Sequence, residues 1–232
     1  LLYVVFMAIV ILLIAHAIIM AALAKKNLDR PTGDGRRVVR HESIDRLFHW
    51  LMAASILVLI FTGVAPILGL RVAWLDIHWI SGLLLTFLVV AHIIRASFWQ
   101  DFKSMLLMPK DFAEPFDSSR KPGKYYFEQK GMHWAVTVVA LAVIVTGVLM
   151  FMQIDSPFWD RTNSMAEDQL GLVFLLHGLS TLALVALAAT HIYFALRPEK
   201  IFYTRSMISG WMSEDEMAAN HDTAKWSPKE AE

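Results

Sequence analysis

Cysteine is absent from all 232 residues. Its absence excludes disulfides, thiolate-ligated iron–sulfur clusters and covalent haem attachment through Cys-x-x-Cys-His. A net charge is lacking too: 21 Lys and Arg stand against 21 Asp and Glu, so nothing points to nucleic acid as a partner. The long apolar runs hold Asp and Glu only at their ends, and none is broken by an internal Pro–Gly interruption. Both features argue against a histidine-based proton-coupled transporter or metal channel, the reading from another class that buried histidines invite. The chain opens on Leu1 rather than Met, and is expected to be a processed product or part of a longer one, with a leader or further domain upstream.

Apolar residues are present in excess: 56% of the chain is hydrophobic, with 8 Trp and 14 Phe. Such a composition belongs in a lipid bilayer. Five helical spans are predicted, roughly 1–24, 46–69, 74–97, 132–154 and 170–196, each near the length a bilayer core requires. The connection from Lys25 to Arg46 is rich in Lys and Arg, and that from Phe98 to Lys130 holds Lys103, Lys110, Arg120, Lys121, Lys124 and Lys130. The turn at Arg71 and Asp76 and the loop from Asp155 to Asp168 carry few positive charges. The positive-inside rule then places the basic loops and the C-terminus in the cytoplasm and the N-terminus outside. Trp50, Trp74, Trp79, Trp99, Trp134 and Trp159 fall at span ends, as an interfacial belt requires.

Within the third and fifth spans His78 is followed by His92, and His177 by His191, at the same interval of fourteen residues. At about 100° and about 1.5 Å per residue, each pair returns to within about 40° of one face and is about 21 Å apart, near opposite membrane surfaces. An imidazole in hydrocarbon is costly unless paired, buried or metal-bound. With cysteine absent, non-covalently bound haem is the natural partner of such pairs. The two spans run in the same direction, so His78 can face His177 and, on spacing alone, His92 can face His191. The first span, with its lone His16, is an added anchor ahead of a four-helix core, joined to it through the turn-rich run Pro31-Thr32-Gly33-Asp34-Gly35. His16 is expected to make a contact within a complex or to be a buried hydrogen-bonded histidine, and His41 and His221, in polar surroundings, to be solvated.

The run Val39-Arg40-His41-Glu42-Ser43-Ile44-Asp45-Arg46-Leu47-Phe48-His49-Trp50, followed by Thr62-Gly63, resembles the cytochrome b (gamma) subunit of respiratory formate dehydrogenases. Three more blocks agree: Ile77-His78-Trp79-Ile80-Ser81-Gly82; Gly123-Lys124-Tyr125 with Gln129-Lys130 and Val145-Thr146-Gly147-Val148; and Leu176-His177-Gly178 with Thr190-His191-Ile192-Tyr193. The resemblance covers residues 39–212. It implies an all-α membrane protein, a four-helix di-haem bundle plus the extra N-terminal helix. Two b haems would be held, the outer by His78 and His177 and the inner by His49 and His191. His92, the partner of His191 on spacing, is the alternative to His49.

The same resemblance implies electrons entering from a periplasmic iron–sulfur (beta) subunit, which is served by a molybdenum or tungsten catalytic (alpha) subunit. They would leave to a quinone, menaquinone or ubiquinone, near the cytoplasmic face. Quinone candidates are Gln129, Lys130, His92 and His133, while Tyr126 and Glu128 depart from the family's expected Asn and Gly. Hydrogenase and thiosulfate or polysulfide reductase cytochromes use a similar bundle and are the alternative assignments. Gly63, Gly82, Gly147 and Gly178 would admit a flat macrocycle or serve helix packing. Arg46, Arg71 and Arg95 would meet haem propionates or snorkel to the interface. The expected organisation is an anchor helix at 1–24, a cytoplasmic basic linker at 25–45, a di-haem domain at 46–197 and a cytoplasmic tail at 198–232, in a bacterial inner membrane.

Overall fold

The computed structural model describes residues 2–23, 35–117 and 120–228. Most of Pro31 to Gly35 lies outside them, as do Lys25, Lys26 and Arg30 of the basic linker. In chain order the elements are α1 (Leu2–Leu23), β1 (Arg37–Val39), α2 (Ser43–Val64), α3 (Trp74–Trp99), two short 3-10 turns (Phe102–Met105 and Pro109–Phe116), α4 (Phe127–Phe151), α5 (Glu167–Ala195), α6 (Ile201–Ser209), β2 (Trp211–Ser213) and α7 (Glu214–Asn220). Among the described residues four helices, α2 to α5, are long and apolar enough to cross a bilayer. This is the all-α membrane bundle expected. The N-terminal segment forms a helix, α1, which is not among these four.

The helix ends differ from the expected spans for local reasons. The α2 helix stops at Val64 rather than 69, because Pro66 disfavours helical backbone in the residue before it. The turn closes through Leu70 N–H to Ala65 O and a left-handed Gly69 (φ 69°). The α4 helix starts earlier than expected, at Phe127. Its first N–H groups find side-chain acceptors, Tyr126 N–H on Gln129 Oε1 (3.1 Å) and Phe127 N–H on Glu114 Oε2 (3.0 Å), as helix N-termini require.

The chain divides into two compact units. One comprises Leu47–Gln100 and Trp134–Val185, and so holds the greater part of the four spans. Its interior is apolar (Leu85, Leu88, Ala140, Phe151, Val173, Leu184), while large apolar side chains such as Phe87, Val138 and Leu172 are exposed, the arrangement a lipid solvent favours. Hydroxyls inside the helices are satisfied by the preceding turn: Ser55 on Leu51 O, Thr62 on Val58 O, Thr86 on Gly82 O and Thr146 on Ala142 O, at 2.7–2.8 Å. At the end bearing the 155–166 loop, Trp79 stacks on Phe151 (5.1 Å, 21°), and Phe151 meets Trp159 edge-on (4.8 Å).

The other unit comprises Leu1–Arg46, Asp101–His133 and Ala186–Glu232. Here β1 pairs antiparallel with β2 in the register Arg37 to Ser213, Val38 to Met212 and Val39 to Trp211. Val38, Met212 and Met217 form a small core beneath Phe202, Tyr203 and Trp226. Gly210, left-handed at φ 94°, ends α6 and presents its carbonyl to the N–H groups of Arg40 and His41. A reciprocal Ser213–Glu216 capping box starts α7. The polar C-terminal segment thus contains a capped helix, α7, beside the small core.

Candidate functional site

In the span unit, Thr62 and Gly63 lie on α2 and His78 on α3; Thr146 and Gly147 lie on α4 and His177 on α5. The same module thus occurs twice. The Nδ1 of His78 is 2.8 Å from Thr62 Oγ1, and that of His177 is 2.9 Å from Thr146 Oγ1. Because each hydroxyl donates its hydrogen to the carbonyl four residues back, it accepts from the imidazole. Both rings are thereby assigned the Nδ1–H tautomer with a bare Nε2. Thr62 is 0% exposed and Thr146 7%, so neither bond competes with water.

The two imidazole rings meet edge-on with centroids 6.4 Å apart and planes at 69°. A metal bonded at about 2 Å to each of two opposed imidazole nitrogens puts the ring centres about 6 Å apart. A glycine lies beside each ring. A Cβ on Gly147 would stand 3.4 Å from His177 Cε1, and one on Gly63 3.8 Å from His78 Cε1. Among the described residues no cluster of three or more His, Asp or Glu side chains gathers to hold a bare ion.

Residues 40–210 match the family model for prokaryotic cytochrome b561. The chain belongs to that family. It is also similar to the cytochrome b556 subunit of formate dehydrogenase from Haemophilus influenzae, 26% identical over 211 residues that cover 83% of this chain and 80% of that one. A membrane cytochrome of this family implies haem b, and the His78–His177 pair fits that group in donor type, ring separation and the glycines beside the rings.

The remaining candidates of this cytochrome are placed as follows. His49, half-buried at the start of α2, meets Trp50 edge-on (5.1 Å), and the half-buried His92 lies 6.2 Å from Phe48. His191 is exposed on the part of α5 that belongs to the other unit. In that unit Gln129 caps α4, and the buried Lys130 ammonium is bound to Asp111 Oδ2 at 2.8 Å. Burial raises the Asp111 carboxyl, but the bond and charge of Lys130 and the Met108 N–H outweigh it and hold it below the ordinary carboxylate value. His133 is half-buried on α4. His16 Nδ1 is 2.9 Å from Tyr193 Oη, the hydrogen-bonded state expected of it. Arg46 donates to Ser43 Oγ (3.0 Å) and to the Ile208 carbonyl.

His41 and His221 correct the expectation of solvated imidazoles, since both are buried and His221 is only 1% exposed. His221 Nδ1–H donates to Gly123 O (2.7 Å), while Nε2 lies 3.0 Å from both Arg40 Nη1 and Tyr203 Oη. Arg40, 3% exposed, also donates to Lys124 O (3.0 Å) and stands 4.5 Å over the Tyr203 ring. Burial and the adjacent guanidinium push His221 down to about 4. The residues that sequence reasoning passed over are Thr62, Thr146 and Asp111. The signal for the threonines was a Thr-Gly dipeptide repeated on two spans.

Proposed function

We propose that this chain is the membrane electron-transfer subunit of a respiratory formate dehydrogenase, carrying electrons inward from a periplasmic iron–sulfur (beta) subunit to a quinone. The formate-oxidising chemistry would lie in the molybdenum or tungsten (alpha) subunit beyond it. His78 and His177 would hold the outer b haem, and His49 and His191 the inner, with His92 the alternative to His49. When bound, haem supplies a one-electron ferric/ferrous couple. Two neutral imidazoles would hold the iron and close it to oxygen, which suits electron transfer over oxygen activation. The observation that carries this reading is the threonine-bonded pair His78 and His177, at a ring separation of 6.4 Å.

The proposed arrangement places the di-haem domain at 46–197 in a bacterial inner membrane, after an anchor at 1–24 and a linker at 25–45. The tail from 198 is cytoplasmic, and the N-terminus outside. At the cytoplasmic end His92, His133, Gln129 and Lys130 would meet the quinone and its protons. The paired Lys130 and Asp111 offer a donor and an acceptor within hydrogen-bond reach of each other. Purification of the chain from its own membranes under mild detergent tests the reading. The expected outcome is co-purification of a formate-oxidising partner and reduction of b-type absorbance by formate. Reduction by hydrogen, with formate inert, would assign the chain to a hydrogenase instead.

A further inference from the structure

Thr62 and Thr146 sit on neighbouring helices, not on those of the histidines they bind, and each makes the same pair of bonds. One runs from its own hydroxyl to the preceding turn, at 2.8 Å and 2.7 Å. The other is accepted from Nδ1, at 2.8 Å and 2.9 Å. A hydroxyl that donates to a carbonyl is polarised into a better acceptor. Partners on the outer nitrogen of a metal-binding imidazole fix its tautomer and ring orientation and raise its basicity.

Resting on the haem assignment proposed above, we propose that Thr62 and Thr146 are the positioning residues of the outer pair. Each holds its histidine as the Nδ1–H tautomer, sets the ring twist that leaves the two planes 69° apart, and strengthens the ligand's donation to iron. More basic axial ligands favour the ferric state. Loss of either hydroxyl therefore moves the outer couple toward ferrous iron, and because both ligands act on one metal the two effects multiply.

The test uses the full chain in its membranes, with Thr62→Val, Thr146→Val, the double variant, Thr62→Ser, and Thr86→Val as control. Thr86 makes the same back-bond to Gly82 O and, among the described residues, has no histidine partner. Haem content, redox titration and the low-spin ferric resonance spectrum are read. Each Val variant is expected to keep its haem and to shift the outer ferric-to-ferrous ratio at fixed potential by about threefold to tenfold, tenfold being about 59 mV for one electron. Its ferric spectrum should change with the freed ring angle. The Ser variant should match wild type and Thr86→Val should be silent. If Thr62→Val fails to accumulate, Thr62→Ala supplies the hydroxyl-free comparison. Unchanged potentials and spectra in haem-replete Val or Ala variants overturn the inference while leaving the haem assignment standing. A haem-free wild type, or retention of both haems in His78→Ala, overturns the assignment and this inference with it.

Discussion

Acidification should loosen the folded C-terminal segment through one residue, His221. In the folded protein its imidazole is neutral, donating to Gly123 O and accepting beside Arg40 and Tyr203, and its pKa is pushed down to about 4. In an undocked segment it returns to about 6.5. The undocked state therefore binds the extra proton between those values. The stability it contributes is fully present above about pH 6.5 and is lost as pH falls toward 4, amounting to about 3 kcal/mol at most. At pH 5 the cost is about 2 kcal/mol, a rise of about 30-fold in the open fraction. The groups facing His221 are Arg40, Tyr203, Tyr126, Trp226 and Lys200. The carboxylates Asp111 and Asp222 are held below 3.8 and titrate outside this window. Hydrogen exchange over residues 211–228, corrected for the pH dependence of intrinsic exchange, is the assay. Protection should fall about 30-fold from pH 7.5 to pH 5 in wild type and stay level in His221→Phe. Level protection in wild type, or the same slope in the variant, refutes the reasoning.

Two further outcomes follow from packing. Removing one partner of the buried Lys130–Asp111 pair, as in Lys130→Met, should destabilise by about 3–5 kcal/mol, and Asp111→Leu/Lys130→Met should recover most of it; thermal unfolding in detergent reads both. Gly147→Ala places a methyl 3.4 Å from His177 Cε1 and should perturb the b-type spectrum more than Gly63→Ala, whose methyl would stand 3.8 Å from His78. Gly178→Ala, whose Cβ meets nothing within 4 Å, should leave the spectrum unchanged.

The spans and the approach of His78 to His177 were legible in the sequence because their cause is local: apolar runs of bilayer length, and an imidazole that hydrocarbon tolerates only with a partner. Span ends were less legible. The end of α2 before Pro66 follows a rule readable from the residues, whereas the early start of α4 depends on Glu114, which reaches Phe127 N–H from a 3-10 turn. Least legible was the folded C-terminal unit, whose polar residues read as solvated. Arg40 finds His221 across most of the chain's length, and no spacing announces such a bond. The ion pair of Lys130 was not legible either, because its buried counter-ion, Asp111, lies in the polar loop. The threonines were visible as Thr-Gly on two spans, but only the fold brings them to the histidines.

The most direct test of the account is the dithionite-reduced minus oxidised spectrum of the purified chain, with haem quantified as the pyridine haemochrome, for wild type, His78→Ala and His177→Ala. The account predicts two b haems in the wild type and loss of the same single haem in both variants. No b-type absorbance, or two haems retained when His78 or His177 is removed, would contradict it.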